Sequence, residues 1–215
     1  MILGEQMMTV DEALSTFYLK HGFQPGHRPW FVGVYVGCLL VPLPNIEARH
    51  RPIRQHDLHH VVTGYGVGRI GEGQVSAWEL GTRSMVHPTI GFMNLIALST
   101  GFALAPRKIY AAFVRGRQCR NLYSASARRL LAQGEFPTIE ALRGYCTGLR
   151  PTPNAAFAVV ELSLYVALAI LIHVGLVVPA LVTRTLTDAA LGLNLIPKLS
   201  DRGVVQRAVS AARAP

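Results

Sequence analysis

The apolar and polar positions of this chain fall into blocks of different periodicity. Between Asp11 and Gly22, Leu14, Phe17 and Tyr18 recur at helical spacing, acids open the first turn and a glycine closes the segment, which predicts a short amphipathic helix. Pro29 to Ile46 runs for 18 residues without a charge, and its valines, glycines and prolines fit a buried helix, an irregular segment or a strand. A polar, basic stretch (EARHRPIRQHDLHH) follows, then a glycine-rich turn (TGYGVGRIGEG) and a second expected helix from Gly71 to Met85. No residue between Arg83 and Arg107 is formally charged, and Ile90 to Ala105 reads as a helix for a protein core or for a membrane. Pro106 to Leu130 holds seven Arg or Lys and no acid, spaced as a helix, a turn and another helix. Thr138 to Gly144, with a Thr cap and a Glu in the first turn, predicts a last short helix. PTPN then reads as a linker, with a boundary near Pro151 between residues 1–150 and a hydrophobic extension, 151–215. In that extension Leu162 to Val182 is 21 residues without formal charge. At about 1.5 Å per residue it reaches across a hydrocarbon layer of roughly 30 Å. His173 and Pro179 also allow an interfacial or buried hairpin.

Composition narrows the class. Of 215 residues, 50% are hydrophobic and 15% charged, with mean hydropathy +0.30, which excludes intrinsic disorder. A net charge of +9 favours anionic partners. The basic run Arg107 to Arg129 suits phospholipid headgroups or a solvated helix face. Nucleic acid is not expected, because the aromatic residues form no stacking motif and the hydrophobic load favours lipid. Cys38, Cys119 and Cys146 form no CxxC pair, so neither a disulfide framework nor a thiolate metal site is expected. The opening MILGEQMMTVDEA carries acids and no early Lys or Arg, unlike a secretory signal, and predicts retention in the compartment of synthesis.

Chemistry concentrates in one stretch. Four of the eight histidines lie between His50 and His60, three of them in His56-Asp57-Leu58-His59-His60. On a helix His56 and His60 stand about 40° apart, one turn from each other, so that both imidazoles can share an ion. Asp57 and His59 flank that pair at about 100° and −60°, and the helical wheel alone selects neither as a third ligand. Glu72 follows twelve residues after His60, across glycines that let the chain fold back. In the first turn of the second helix it can complete the set, with Glu79 about 20° further round as a supporting carboxylate. Imidazole and carboxylate ligands without thiolate suit zinc, iron or manganese. The competing reading is that the same histidines are solvated neighbours of an Arg-rich loop. Gly66 to Gly71 satisfies GxGxxG, but no convincing strand precedes it and no acid lies about 20 residues on to hold a ribose. HxxHH is also a histidine box of membrane iron desaturases and hydroxylases. Those enzymes need further boxes, and His21, His27, His50, His87 and His173 form none. A phosphohydrolase of the HD type needs a later catalytic Asp, and only Asp188 and Asp201 follow.

His56-Asp57-Leu58-His59-His60, eleven residues and Glu72 read HDxxHx11E, set in HHVVTGYGVGRIGE. The pattern resembles the signature of the ubiquinone (coenzyme Q) biosynthesis protein four family. AFVRGRQCRNLYSASARRLLAQ, with Leu142, Arg143 and Gly148-Leu149, resembles that family's later pattern, so the likeness spans roughly residues 10 to 150. It implies an all-α fold and a zinc ion held by His56, Asp57, His60 and Glu72 beside an apolar groove for an isoprenoid tail. It also implies work on polyprenylated ring intermediates of ubiquinone. One form of that work is oxidative decarboxylation, with carboxyl replaced by hydroxyl; the other is a lipid-binding scaffold for the biosynthetic enzymes at the membrane. On this reading the ion positions the ring, His59, Tyr65 and Glu79 assist, and no other catalytic residue is assigned. The expected partners are a prenylated quinone precursor or other isoprenoid lipid, the membrane surface, other ubiquinone enzymes and a second copy of the chain. The expected location is the cytoplasmic face of a bacterial inner membrane. Leu162 to Val182 has no counterpart in the resemblance and reads as a private membrane anchor.

Overall fold

The computed structural model describes residues 8–23, 31–36, 39–44, 47–147, 151 and 154–193. The fold is all-α, with one small antiparallel hairpin among the described residues. Helix α1 (Val10–His21) opens on a capping box: the Thr9 hydroxyl accepts from the Glu12 amide while the Glu12 carboxylate accepts from the Thr9 amide. Gly22, at φ 70°, closes it in the left-handed conformation that glycine adopts without a steric penalty. The uncharged stretch after it forms β1 (Phe31–Val36) and β2 (Leu39–Pro44), paired with Val34 opposite Val41. Thus the segment that patterning left open is a strand pair, with Pro29, Trp30, Gly37, Cys38, Asn45 and Ile46 outside the described residues.

Helices α2 (Glu47–Thr63) and α3 (Arg69–Gly81) carry the HDxxHx11E residues. The second helix begins two residues earlier than Gly71 and ends well before Met85. Thr82 stops it, Arg83 turns left-handed at φ 71°, and Met85 falls in a short 3₁₀ turn, Ser84–Val86. The uncharged helix α4 (Pro88–Leu104) belongs to the protein core, burying Ile90, Leu95, Ile96 and Leu98. The basic run becomes α5 (Pro106–Arg117), a turn, and α6 (Ala125–Ala132), followed by α7 (Ile139–Cys146). Gly148 and Leu149 of the resemblance, and residues 152 and 153 of the expected linker, lie outside the described residues.

Two apolar clusters hold these elements. Leu14 and Phe17 of α1 pack with Leu58 and Val62 of α2, Leu122, and Leu142 of α7. Leu80 of α3, Leu95 and Leu98 of α4, Ile109 and Phe113 of α5 and Leu162 of the last helix form the other. Helix α3 is clasped on two sides by glycine contacts. A Cβ on Gly73 would lie 2.7 Å from Cα of Gly101 in α4, and a Cβ on Gly116 of α5 would lie 2.1 Å from the Trp78 carbonyl. Backbones approach this closely only where no side chain intervenes.

Helix α8 (Ala155–Gly192) continues for 38 residues, far beyond the expected Leu162 to Val182. It buries Ala158, Leu162, Val166 and Ala169 on α4 and α5. Arg117 of α5 pairs with its Glu161 and sits over Phe157, while Ser99 of α4 meets its His173 at 2.9 Å. Many of its other apolar side chains, Val160, Leu164, Leu168, Leu171, Val174 and Val178 among them, are exposed, whereas Ala180 is buried. Among the described residues α8 is the one helix long and apolar enough to cross a membrane.

Candidate metal centre

The last two turns of α2 and the first turn of α3 face each other across a five-residue loop, 64–68. The Thr63 hydroxyl donates to the His59 carbonyl (2.6 Å) at the helix end, and Gly64, at φ 77°, turns the chain back. A Cβ on Gly71 would stand 1.8 Å from the Gly66 carbonyl oxygen, so glycine at that position lets α3 start hard against the loop. The GxGxxG spacing therefore serves a close helix-to-helix return; the loop follows a helix, and nothing in it follows the strand that a dinucleotide site needs.

That return brings Glu72 onto the two histidines of α2. Ligand atoms of His56, His60 and Glu72 all lie within 4.8 Å of one another, so the group can hold a metal ion. Nε2 of His56 is 3.3 Å from one Glu72 oxygen and Nε2 of His60 is 3.5 Å from the other. The opposite ring nitrogens are tied down. His56 Nδ1–H donates to Glu79 Oε1 (2.9 Å), and His60 Nδ1–H donates to the Tyr65 carbonyl (3.0 Å). With both Nδ1 atoms donating, each neutral ring turns the lone pair of Nε2 on a carboxylate. Lone pairs so placed repel unless a positive centre, a proton or a metal ion, stands between them.

The electrostatics follow from the same arrangement. Burial alone would lower the pKa of His56, but the charges of Glu79 and Glu72 outweigh it and hold the ring well above its ordinary range. Burial would raise Glu72, yet hydrogen bonds from His56 and His60 keep its carboxyl well below the usual carboxylate range. The side chain of Glu72 remains 37% exposed, so the centre opens outward there, whereas His60 is buried with Phe17 of α1 stacked on its ring.

The other sequence candidates stand around this group. Asp57 is outside the convergent set: its Oδ2 accepts from the Tyr18 hydroxyl (2.9 Å), and burial raises its pKa. His59 has both nitrogens occupied, Nδ1–H donating to Glu79 Oε1 (2.7 Å) and Nε2 accepting from the Leu122 amide (2.9 Å). Burial lowers its pKa, consistent with a neutral ring. Tyr65 contributes its carbonyl, and its ring lies under Arg115 at 5.5 Å. Glu79 is fully buried behind His56. Sequence reasoning missed Tyr18, Asn94 and Tyr123, which hydrogen-bond Asp57 and Glu79 from elements 15 to 44 residues away, where no spacing rule points.

An apolar cavity of about 330 Å³ opens between α4 and α8, lined by Ala103, Leu104, Ile170 and Val174 with the Ser99–His173 pair. Arg69, on α3 three residues before Glu72, also lines it. Comparison with family models, with curated proteins and with solved structures gives no match for this chain.

Proposed function

We propose that the chain is a zinc-dependent protein of ubiquinone biosynthesis, acting on a polyprenylated ring that carries a carboxyl group and replacing that carboxyl by hydroxyl. The observation that carries the reading is the convergence of His56, His60 and Glu72 within the HDxxHx11E pattern. Zinc bonds of roughly 2.0–2.2 Å in a tetrahedron set neighbouring donor atoms about 3.4 Å apart. The 3.3 Å between His56 and one Glu72 oxygen is close to that spacing, and with all ligand atoms within 4.8 Å of one another a small side-chain adjustment brings the three onto one ion. Three protein ligands leave a fourth position for substrate, as in catalytic zinc sites, unless Asp57 turns from Tyr18 to fill it as the resemblance implies.

A divalent ion there supplies Lewis-acid stabilisation of ring oxygens as carbon dioxide leaves. The chain's own residues do the rest. His56 and His60 present Nε2 from rings fixed at Nδ1, and half-buried Glu72 forms the entrance at which a ring can arrive. Zinc carries no redox chemistry, so the hydroxyl oxygen comes from dioxygen or through a partner redox enzyme. The apolar cavity beside Arg69 suits part of an isoprenoid tail. The long apolar helix and exposed Arg107 and Lys108 suit the cytoplasmic face of a bacterial inner membrane, where other ubiquinone enzymes and a second copy are the expected neighbours.

The exposed apolar face of α8 supports a second reading, a non-catalytic lipid-binding scaffold. Glu72→Ala separates the two. Accumulation of the ring-carboxylated prenyl intermediate in cells, with partner enzymes still assembled, is the outcome expected of a catalytic ion. Normal turnover refutes catalysis and leaves the scaffold.

A further inference from the structure

Glu79 is fully buried and accepts four hydrogen bonds. Its Oε1 takes the Nδ1–H of His56 (2.9 Å), the Nδ1–H of His59 (2.7 Å) and the hydroxyl of Tyr123 (2.8 Å). Its Oε2 takes the side-chain amide of Asn94 (2.8 Å). The donors come from α2, from α4 and from the segment joining α5 to α6. They are themselves fixed: Asn94 also donates to the Ser84 hydroxyl (3.2 Å), and His59 accepts from the Leu122 amide. A buried carboxylate with donors on both oxygens has nowhere else to go.

Of the four donors only His56 belongs to the convergent group with His60 and Glu72. We propose that Glu79 is the positioning residue of the metal centre, framed by Tyr123, Asn94 and His59, and that by accepting the Nδ1 proton of His56 it fixes the tautomer and ring orientation that aim Nε2 at Glu72. The inference rests on the reading of His56, His60 and Glu72 as metal ligands. A carboxylate behind a ligating imidazole sets its orientation and raises its basicity, and loss of such a partner weakens metal binding by roughly 10–100-fold. The two imidazoles are thereby unequal. His60 leans on an uncharged carbonyl, whereas His56 leans on a full negative charge.

A purely structural hub would hold the same bonds, so the test must separate the roles. Glu79→Gln sets an amide NH₂ against the NH₂ of Asn94, and adding Asn94→Asp restores donor to acceptor at that contact. The double variant keeps volume and hydrogen-bond count while removing the charge from the oxygen behind His56. Cobalt(II) titration of the full chain reads both affinity and the visible d–d bands of the bound ion. The expected result is a double variant that still unfolds cooperatively without metal, with roughly 10–100-fold weaker cobalt binding and altered d–d bands. Wild-type affinity and bands in a folded variant overturn the positioning role alone. Failure of the wild type to bind cobalt overturns the metal reading and this inference with it. If the double variant does not fold, Tyr123→Phe removes one donor from the same oxygen. It is expected to weaken cobalt binding less but in the same direction, and unchanged binding overturns the proposal.

Discussion

His56 stands between two carboxylates, so a metal ion must compete with a proton for its Nε2. Because Glu79 and Glu72 hold the ring's pKa well above the ordinary histidine range despite burial, the imidazolium persists at neutral pH in the ion-free protein. Zinc binding at pH 7 is therefore expected to release a proton, and affinity should rise with pH and weaken toward acid. Calorimetry in two buffers of different ionisation enthalpy measures that release, and its absence would contradict the two-carboxylate arrangement. The sign for the ion-free fold is opposite. A raised histidine pKa adds stability that is fully present below the unfolded value of about 6.5 and is lost as pH climbs through the folded one. The ligand pair was legible because helical spacing alone brings His56 and His60 together, and the glycines after Thr63 announced the return that delivers Glu72. The frame around Glu79 was not, since Tyr123 lies 44 residues further on and meets it only through tertiary packing.

Among the elements, α3 bears the tightest constraint. With Gly101 on one side and Gly116 on the other, its backbone is packed against two neighbours without intervening side chains. Gly116→Ala would press a methyl to 2.1 Å from the Trp78 carbonyl, and the expected cost is about 1–3 kcal/mol or more of overpacking. Gly144→Ala on α7 meets nothing within 4 Å and should be neutral or stabilise by up to about 1 kcal/mol. Denaturant unfolding compares the two, and equal stabilities would refute the clasp. Periodicity located α1, whose buried Leu14 and Phe17 recur at helical spacing, whereas α4 and α8 showed as uncharged runs and α7 by its Thr cap. It failed at the hairpin, where β1 and β2 are apolar almost throughout, and at the end of α3, where a left-handed Arg83 breaks a pattern that continues in sequence.

For the whole molecule α8 sets the context. Its 38 residues extend about 57 Å, roughly twice a hydrocarbon layer, and within its uncharged stretch Leu162, Val166 and Ala169 face the helical body while Leu164, Leu168, Leu171, Val174 and Val178 face outward. The sequence marked its uncharged middle but not its full extent, because Glu161 and Arg184 bracket that stretch and only Arg117 shows how the first is neutralised within the helix. Leu171→Lys with Val178→Lys alters two exposed positions. Each charge near a bilayer centre costs roughly 2.5–3.5 kcal/mol, so the variant should leave the membrane fraction with its melting temperature unchanged. Leu162→Lys, at a buried position, should instead unfold the body. Unaltered membrane partition of the first variant would show that α8 is not the attachment. The Arg117–Glu161 pair has a mechanical corollary: it ties the first turns of α8 to α5 of the helical body. On the proposed reading, a body tied to a bilayer-inserted α8 would hold its metal centre at one height over the leaflet, and meeting a greasy reactant would become a search in two dimensions instead of three.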